Sequence, residues 1–421
     1  MNELKFLLKN EVNAKSTDNF IKRLFSGFGR KFINIKPYTK EMEYKVYETV
    51  IIGAGMAGLA CAKKLQEKGI DFVIISEDIG GRVLTSADGK TTYGAFFVCS
   101  DYFHVLKYVK LKSKIRLRDF CFHKENKIYV FFEPRLLKFS FQFLKVLFWL
   151  YKFRRALRKF RKASETISQK EAIENDSFLY GLYMQKADDF VKKHKLQTGT
   201  EAYLSEALYS TTFSKITEIN AFFYLQYLTP LITSVYTFMF EKEKLIRPFK
   251  EKIVIGCVDN ITFANDKYQV RANSQIFSAK NIVLATQITR SQKFAGIKKI
   301  NRPVSTHMLH IKGTPKPTIA RKPYHLFAPP SDTQAIAKLE DGTYLFYYKN
   351  KRPVLDQFFT DYTIIAHRHW DPAGTINGHT LIESNRGNNM YLIGDFNVVG
   401  LEDAYITGLY AANQIIGSNK D

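Results

Sequence analysis

Thr49-Val50-Ile51-Ile52-Gly53-Ala54-Gly55-Met56-Ala57-Gly58-Leu59 runs from β-branched apolar residues into three spaced glycines and then into small residues. The first part suits a buried strand, and Ala57–Lys68 reads as a helix with small side chains along one side. Ile70–Ile75 is a second buried strand. Strand, glycine turn, helix and strand thus follow one another within about 30 residues, a βαβ unit beginning near Tyr47. In such a unit the first glycine permits the tight turn, the second lets a pyrophosphate approach the backbone, and the third allows close helix–strand packing. The helix amino terminus then directs unpaired N–H groups at the phosphates. Gly53, Ala54, Gly55, Met56, Ala57 and Gly58 are therefore expected to hold a dinucleotide. The glycine spacing alone is weak evidence; its place between strand and helix makes it specific.

A carboxylate is expected at the end of the second strand, where it would grip the adenosine ribose. Counting from Gly53, that position holds Ser76, with Glu77 next. Glu77 is assigned the ribose, and a weaker bond from Ser76 is the alternative. Gly80-Gly81-Arg82 and Gly94-Ala95-Phe96 follow. Gly81 allows the chain to pass close to a cofactor, and Arg82 offers a guanidinium to a pyrophosphate or ring edge. A nicotinamide-only domain needs no such second element, although a plain Gly-Gly turn with a solvated Arg would read the same. Near the far end, Gly394-Asp395-Phe396 follows the strand Met390–Ile393. Gly400 then opens a helix through Glu402, Asp403 and Ala404 to about Ile416. Asp395 is placed to accept bonds from ribitol hydroxyls, and the helix start at Asp403-Ala404 would present a positive dipole end to a flavin edge. The bland reading of Gly-Asp after a strand is an ordinary turn.

Together these blocks resemble the flavin amine oxidase and phytoene desaturase superfamily, which also contains protoporphyrinogen oxidases. The resemblance rests on Val50–Leu59, Ile79-Gly80-Gly81-Arg82, Leu392-Ile393-Gly394-Asp395 and Gly400 to Ala412. It implies non-covalent FAD and an α/β fold: a discontinuous FAD/NAD(P)-binding Rossmann-like domain with an inserted α+β substrate domain. The expected boundaries are 1–46 for a basic extension, 47–100, 246–300 and 386–421 for the FAD domain, and 101–245 with 301–385 for the substrate domain. Val258 resembles the strand residue whose backbone meets adenine. Four departures stand out: Ser76 in place of the carboxylate, two residues fewer between Glu77 and Gly80, Tyr93 where an acid usually precedes Gly-Ala, and no recognisable lysine of the amine oxidase type. Chemistry in this superfamily is largely hydride transfer from a substrate C–H to flavin N5. Trp370, in His367-Arg368-His369-Trp370-Asp371-Pro372, resembles a tryptophan bordering the flavin, and His379 is the candidate proton shuttle. A packed aromatic and a surface histidine are their bland readings. No metal site is expected from the His367/His369 and His307/His310 pairs, which lack a third ligand at suitable spacing.

Composition narrows the partners. Lys and Arg number 63 against 40 Asp and Glu, a formal charge of +23. That charge is concentrated: residues 135–162 carry ten Lys/Arg and no acid. The first half of the segment is almost wholly apolar (Phe139, Phe141, Phe143, Leu144 and Phe148 among others), the second half densely cationic. It is too short in apolar residues to span a bilayer and suits peripheral contact with an anionic membrane; a core helix with a solvated basic end is the alternative. Residues 219–240 are uncharged but rich in Asn, Gln, Thr and Pro, and are expected to be helices lining a large cavity. Cys61, Cys99, Cys121 and Cys257 lack metal-site or disulfide spacing. For residues 1–46, a tail, a targeting segment and an over-extended gene start stand as equal readings. The expected function is hydride abstraction from an apolar, membrane-derived small molecule, in the cytoplasm or on the cytoplasmic face of a membrane. A soluble amine oxidase is the alternative enzyme. A binding protein for anionic partners with structural FAD is the non-enzyme alternative, and no nucleic-acid motif is present.

Overall fold

The computed structural model describes residues 44–125 and 127–418; nearly all of the basic extension lies outside the described residues. Strand β1 (Tyr44–Gly55) lies inside a seven-stranded sheet, parallel to β2 (Phe72–Gly80) on one side and to β3 (Gln275–Leu284) on the other. Val50, Ile51, Ile74, Val283 and Leu284 are almost free of solvent contact, as continuous apolar runs must be in a parallel sheet covered on both faces. Helix α1 (Met56–Glu67) buries Met56 to Ala62 and Leu65. The C-terminal helix Leu401–Ser418 packs directly across it. Gly408 makes that approach possible, since a Cβ there would strike the Ala57 carbonyl and the Ala60 methyl.

The stretch Lys252–Ala264 forms two strands. Ile253–Ile255 extends the sheet beyond β2, and Gly256 then donates its N–H to the Ser76 carbonyl. Val258–Ala264 starts an antiparallel meander with Lys267–Ala272 and β3. Its turns, Asn265-Asp266 and Asn273-Ser274, have the paired positive φ angles that two-residue hairpins require. Met390–Leu392 joins the far half of β3 in parallel. The first sheet thus draws on residues 44–80, 253–284 and 390–392. A second seven-stranded sheet draws on 120–130 and 302–377, its long strands Arg302–Pro315 and Phe359–Asn377 running antiparallel.

Residues 219–240 are not helical throughout. A helix covers Ala221–Leu228, Pro230 sits in a 3-10 turn, and Val235–Phe240 is a strand paired with Phe97–Cys99 and Val109–Ile115. Proline ends the helix, and the aromatic and β-branched residues beyond it favour the pleated state. Helix α2 (Ser140–Ala163) takes in both halves of the aromatic-basic segment. Its inner face, Val146, Leu150, Phe153, Leu157 and Phe160, joins a core cluster with Phe222 and Tyr183. Among the described residues, no helix is long and apolar enough to cross a membrane.

Candidate cofactor and substrate site

The glycine loop is shaped as a cradle. Gly53 has φ +108°, and a Cβ there would lie 2.6 Å from the Ala285 carbonyl oxygen. A Cβ on Gly55 would meet only the Gly81 Cα, at 4.0 Å, so this side of the loop opens onto free space opposite the second glycine pair. Gly55 caps α1 with no side-chain hydrogen bond and no acid stands in the first turn. The first-turn N–H groups of Met56, Ala57 and Gly58 are therefore available to an anion. Gly58 packs against the Gly53 carbonyl, the close helix–strand contact its position predicts. The donor set and the open cradle fit a dinucleotide pyrophosphate.

At the end of β2, Ser76 is committed locally: its Oγ accepts from the Ala54 N–H at 3.0 Å and donates to the Asp78 carbonyl at 2.7 Å. Glu77 points to the cavity and pairs with Arg290, 2.6 Å away. Arg290 also donates to the Val258 carbonyl at 3.2 Å and touches Cys257. Bonds from Cys257 and Arg290 hold the Glu77 carboxyl below its usual range. Arg290 escaped the sequence reading because it lies 213 residues from Glu77 in the chain.

Arg82 and Asp395, read separately in the sequence, are partners. The Arg82 guanidinium donates to Asp395 and, at 2.7 Å, to the Ala373 carbonyl. Both residues line the cavity together with the half-buried Tyr227. Ala404 lines it as well, whereas Asp403 does not. Asp403 is fully buried in a two-pronged ion pair with Arg161 of α2, at 2.8 and 2.9 Å. Its assignment to the cofactor is thereby corrected: its carboxylate is spent on a cation from the inserted region. Neighbouring Glu402 accepts from the N–H groups of Phe103, His104 and Val105.

These elements surround a continuous cavity of about 740 Å³ that passes from the glycine cradle to an apolar arm. The arm is walled by Ile115, Leu117, Phe120, Phe122, Phe131 and Tyr203. Residues 51–110 match the family of NAD(P)-binding Rossmann-like domains. Solved structures agree over nearly the whole chain. Putrescine oxidase bound to putrescine superposes with TM-score 0.63 at 11% identity, over 89% of this chain and 100% of that one. Cyclohexylamine oxidase from Brevibacterium oxydans IH-35A gives 0.59 at 12%, over 89% and 100%. The chain has the fold of these two oxidases. A conjugated-linoleic-acid-producing fatty acid isomerase from P. acnes shares it too, with TM-score 0.60 at 14% identity over 88% and 98%. No curated protein matches at the sequence level.

Within this fold, part of the cavity wall rests on the second sheet. Trp370 is buried in the cavity wall, and a Cβ on Gly94 would lie 3.4 Å from its ring. Tyr93, where an acid was expected, donates to or accepts from His310 at 2.9 Å behind that wall. His379 is outside the cavity wall and bonds the Tyr183 carbonyl at 2.8 Å, so its placement corrects the proton-shuttle expectation. His307 stacks on His369 and His367 on the opposite face of the strand pair. Among the described residues, no cluster of three His, Cys, Asp or Glu is arranged to hold a metal ion. No lysine or histidine belongs to the cavity wall among the described residues. Cys99 lines it, but burial pushes its thiol up to about 12, leaving it protonated and a poor nucleophile at neutral pH.

Proposed function

We propose that this protein is an FAD-dependent oxidoreductase that holds FAD non-covalently and takes an apolar substrate from an anionic membrane. The observation that carries this reading is the outer face of α2. Phe141, Leu144, Phe148 and Tyr151 are 60–70% exposed at alternating three- and four-residue spacing. The same stripe continues as exposed Arg155, Arg158 and Lys162. From Phe141 to Tyr151 the helix rises about 15 Å, close to the hydrocarbon depth of one leaflet. An apolar stripe that turns cationic after that length suits a helix dipping into a leaflet with its basic end among anionic headgroups. Attachment to the cytoplasmic face follows, since anionic lipid is concentrated there.

The apolar arm lies one ring layer beneath this surface. Phe131 and Tyr203 line the cavity on one side and touch Phe143 on the other, at ring distances of 5.8 and 6.0 Å. When bound, FAD supplies the hydride acceptor. The chain's part is to seat the pyrophosphate on the α1 amino terminus, the ribose near Glu77, the ribitol near Asp395 and the ring beside Ala404. Trp370 and Tyr347 wall the reacting region against water, and the scarcity of titrating groups there suits abstraction at an unactivated C–H. The likeness to putrescine and cyclohexylamine oxidases favours an amine substrate as the second reading.

Purified protein is expected to show flavin absorption that moves into the supernatant after heat denaturation. It should also float with vesicles containing phosphatidylglycerol and remain behind with neutral phosphatidylcholine. Each cation at the surface adds about 1 kcal/mol, so the preference for anionic vesicles should be on the order of a hundred-fold. Phe141→Ser together with Phe148→Ser should abolish flotation and keep the flavin. Flotation unaffected by that double variant, or hydrogen peroxide release with amines alone, would overturn the membrane-substrate reading in favour of the amine one.

A further inference from the structure

We infer that the outer end of the apolar arm is a mouth for an anionic amphiphile: a long apolar chain ending in a carboxylate or phosphate. The inference rests on the proposed function only in requiring that the cavity take an apolar molecule. Residues 115–118 alternate, and the alternation has two destinations. Ile115 and Leu117 line the cavity. Arg116 and Arg118 are exposed, and with Leu117 and Phe132 they line a surface hollow of about 320 Å³. Leu117 belongs to both walls, so the hollow and the cavity abut at one side chain. The strand Val109–Ile115 ends here and a 3-10 turn begins at Leu117, and across that junction Ile115 and Leu117 face the arm while Arg116 and Arg118 frame its opening.

Cations outnumber acids around the opening. Residues 107–118 contain Lys107, Lys110, Lys112, Lys114, Arg116 and Arg118 and no acid. Two carboxylates stand against this segment: Asp119 accepts from the Arg116 backbone N–H at 2.9 Å and stands 4.0 Å from the Arg118 Nε, and Glu340 accepts from the Ser113 hydroxyl. Two acids against six cations leave the segment positive, and the hollow itself is lined by Arg116 and Arg118 with no carboxylate. Phe132, 59% exposed, stands edge-on to Phe131 of the cavity wall at 5.3 Å. Leu137 and Phe141, the next large apolar side chains exposed along the chain, lead from it into α2. An amphiphile in the leaflet would therefore meet the exposed Phe132 ring, two guanidinium groups for its head and an apolar arm for its chain. Guanidinium groups match carboxylate and phosphate oxygens in fork geometry, which a neutral ester or hydrocarbon does not exploit.

The test uses the flavin-loaded protein and the fluorescence of cis-parinaric acid and its methyl ester. The acid should bind at least tenfold more tightly than the ester, and raising the salt concentration should shrink the difference. Arg116→Gln with Arg118→Gln should erase the preference while leaving the ester's affinity unchanged. Leu117→Trp should weaken both ligands by narrowing the passage. Displacement by oleate against displacement by oleoyl lysophosphatidate tells which head the rim prefers. Equal binding of acid and ester, or a preference that survives the double arginine variant, overturns the inference. Neither result touches the flavin reading, whose failure would appear separately as protein that takes up no FAD.

Discussion

Arg161→Met is expected to destabilise the protein by about 3–5 kcal/mol, the usual cost of leaving one partner of a buried ion pair without its countercharge. The Arg161 side chain is 6% exposed and that of Asp403 fully buried, with two hydrogen bonds joining them. Arg161 also lies over the Tyr102 ring, 5.2 Å from its centre. Met fills most of the volume but supplies neither charge nor donors, so the Asp403 carboxylate would stay in the interior unpaired. A loss of this size should lower Tm by about 3–6 °C in a chain of this length. Arg158→Gln, one turn away on the exposed face, should stay within about 0.5 kcal/mol of wild type. The double variant Arg161→Met/Asp403→Leu should regain most of the loss, since no orphaned charge remains. Urea unfolding of the four proteins measures all of this. A single variant as stable as wild type would mean that the pair does not form. The contact also matters to function, because it bolts the basic helix α2 to the helix whose first turn borders the cavity.

Gly55→Val should abolish FAD uptake while leaving the apo-protein folded. Gly55 has φ −78° and ψ −179°, which valine adopts readily, and a Cβ there meets nothing closer than 4.0 Å. The branched side chain would fill the space left for the pyrophosphate. Losing two charge-assisted backbone bonds at about 1.5–3 kcal/mol each weakens binding by about a hundred-fold or more. Gly53→Val is the contrasting variant: its φ of +108° and the Ala285 carbonyl in its path predict misfolding rather than a selective loss. Flavin content by absorbance, read beside apo-protein Tm, separates the two. Normal FAD uptake by Gly55→Val would remove the cradle from the cofactor site.

Local pattern carried much of the fold. The βαβ unit was readable because strand, turn and helix each leave a signature within a few residues: β-branched runs, glycine spacing, small residues on one helix side. The strand Met390–Leu392 and the C-terminal helix were readable for the same reason. In the Lys252–Ala264 stretch alternation continues across Gly256-Cys257, and only pairing separates it into two strands. Past Pro230, the strand Val235–Phe240 depends on partners at Phe97–Cys99 and Val109–Ile115, far away in the chain.

By itself, then, the sequence determined the dinucleotide cradle, the positive charge and the aromatic-to-basic change along α2, all properties of neighbouring residues. Tertiary structure decided the rest. It paired Arg82 with Asp395 and Glu77 with Arg290, moved Asp403 from the cofactor to Arg161, and put His379 behind the wall. It also set the stripe of α2 over the apolar arm. A side chain's chemistry is written in the chain, but its partner is chosen by burial: an ion in the interior must find a countercharge wherever the fold brings one, and sequence spacing does not record that choice.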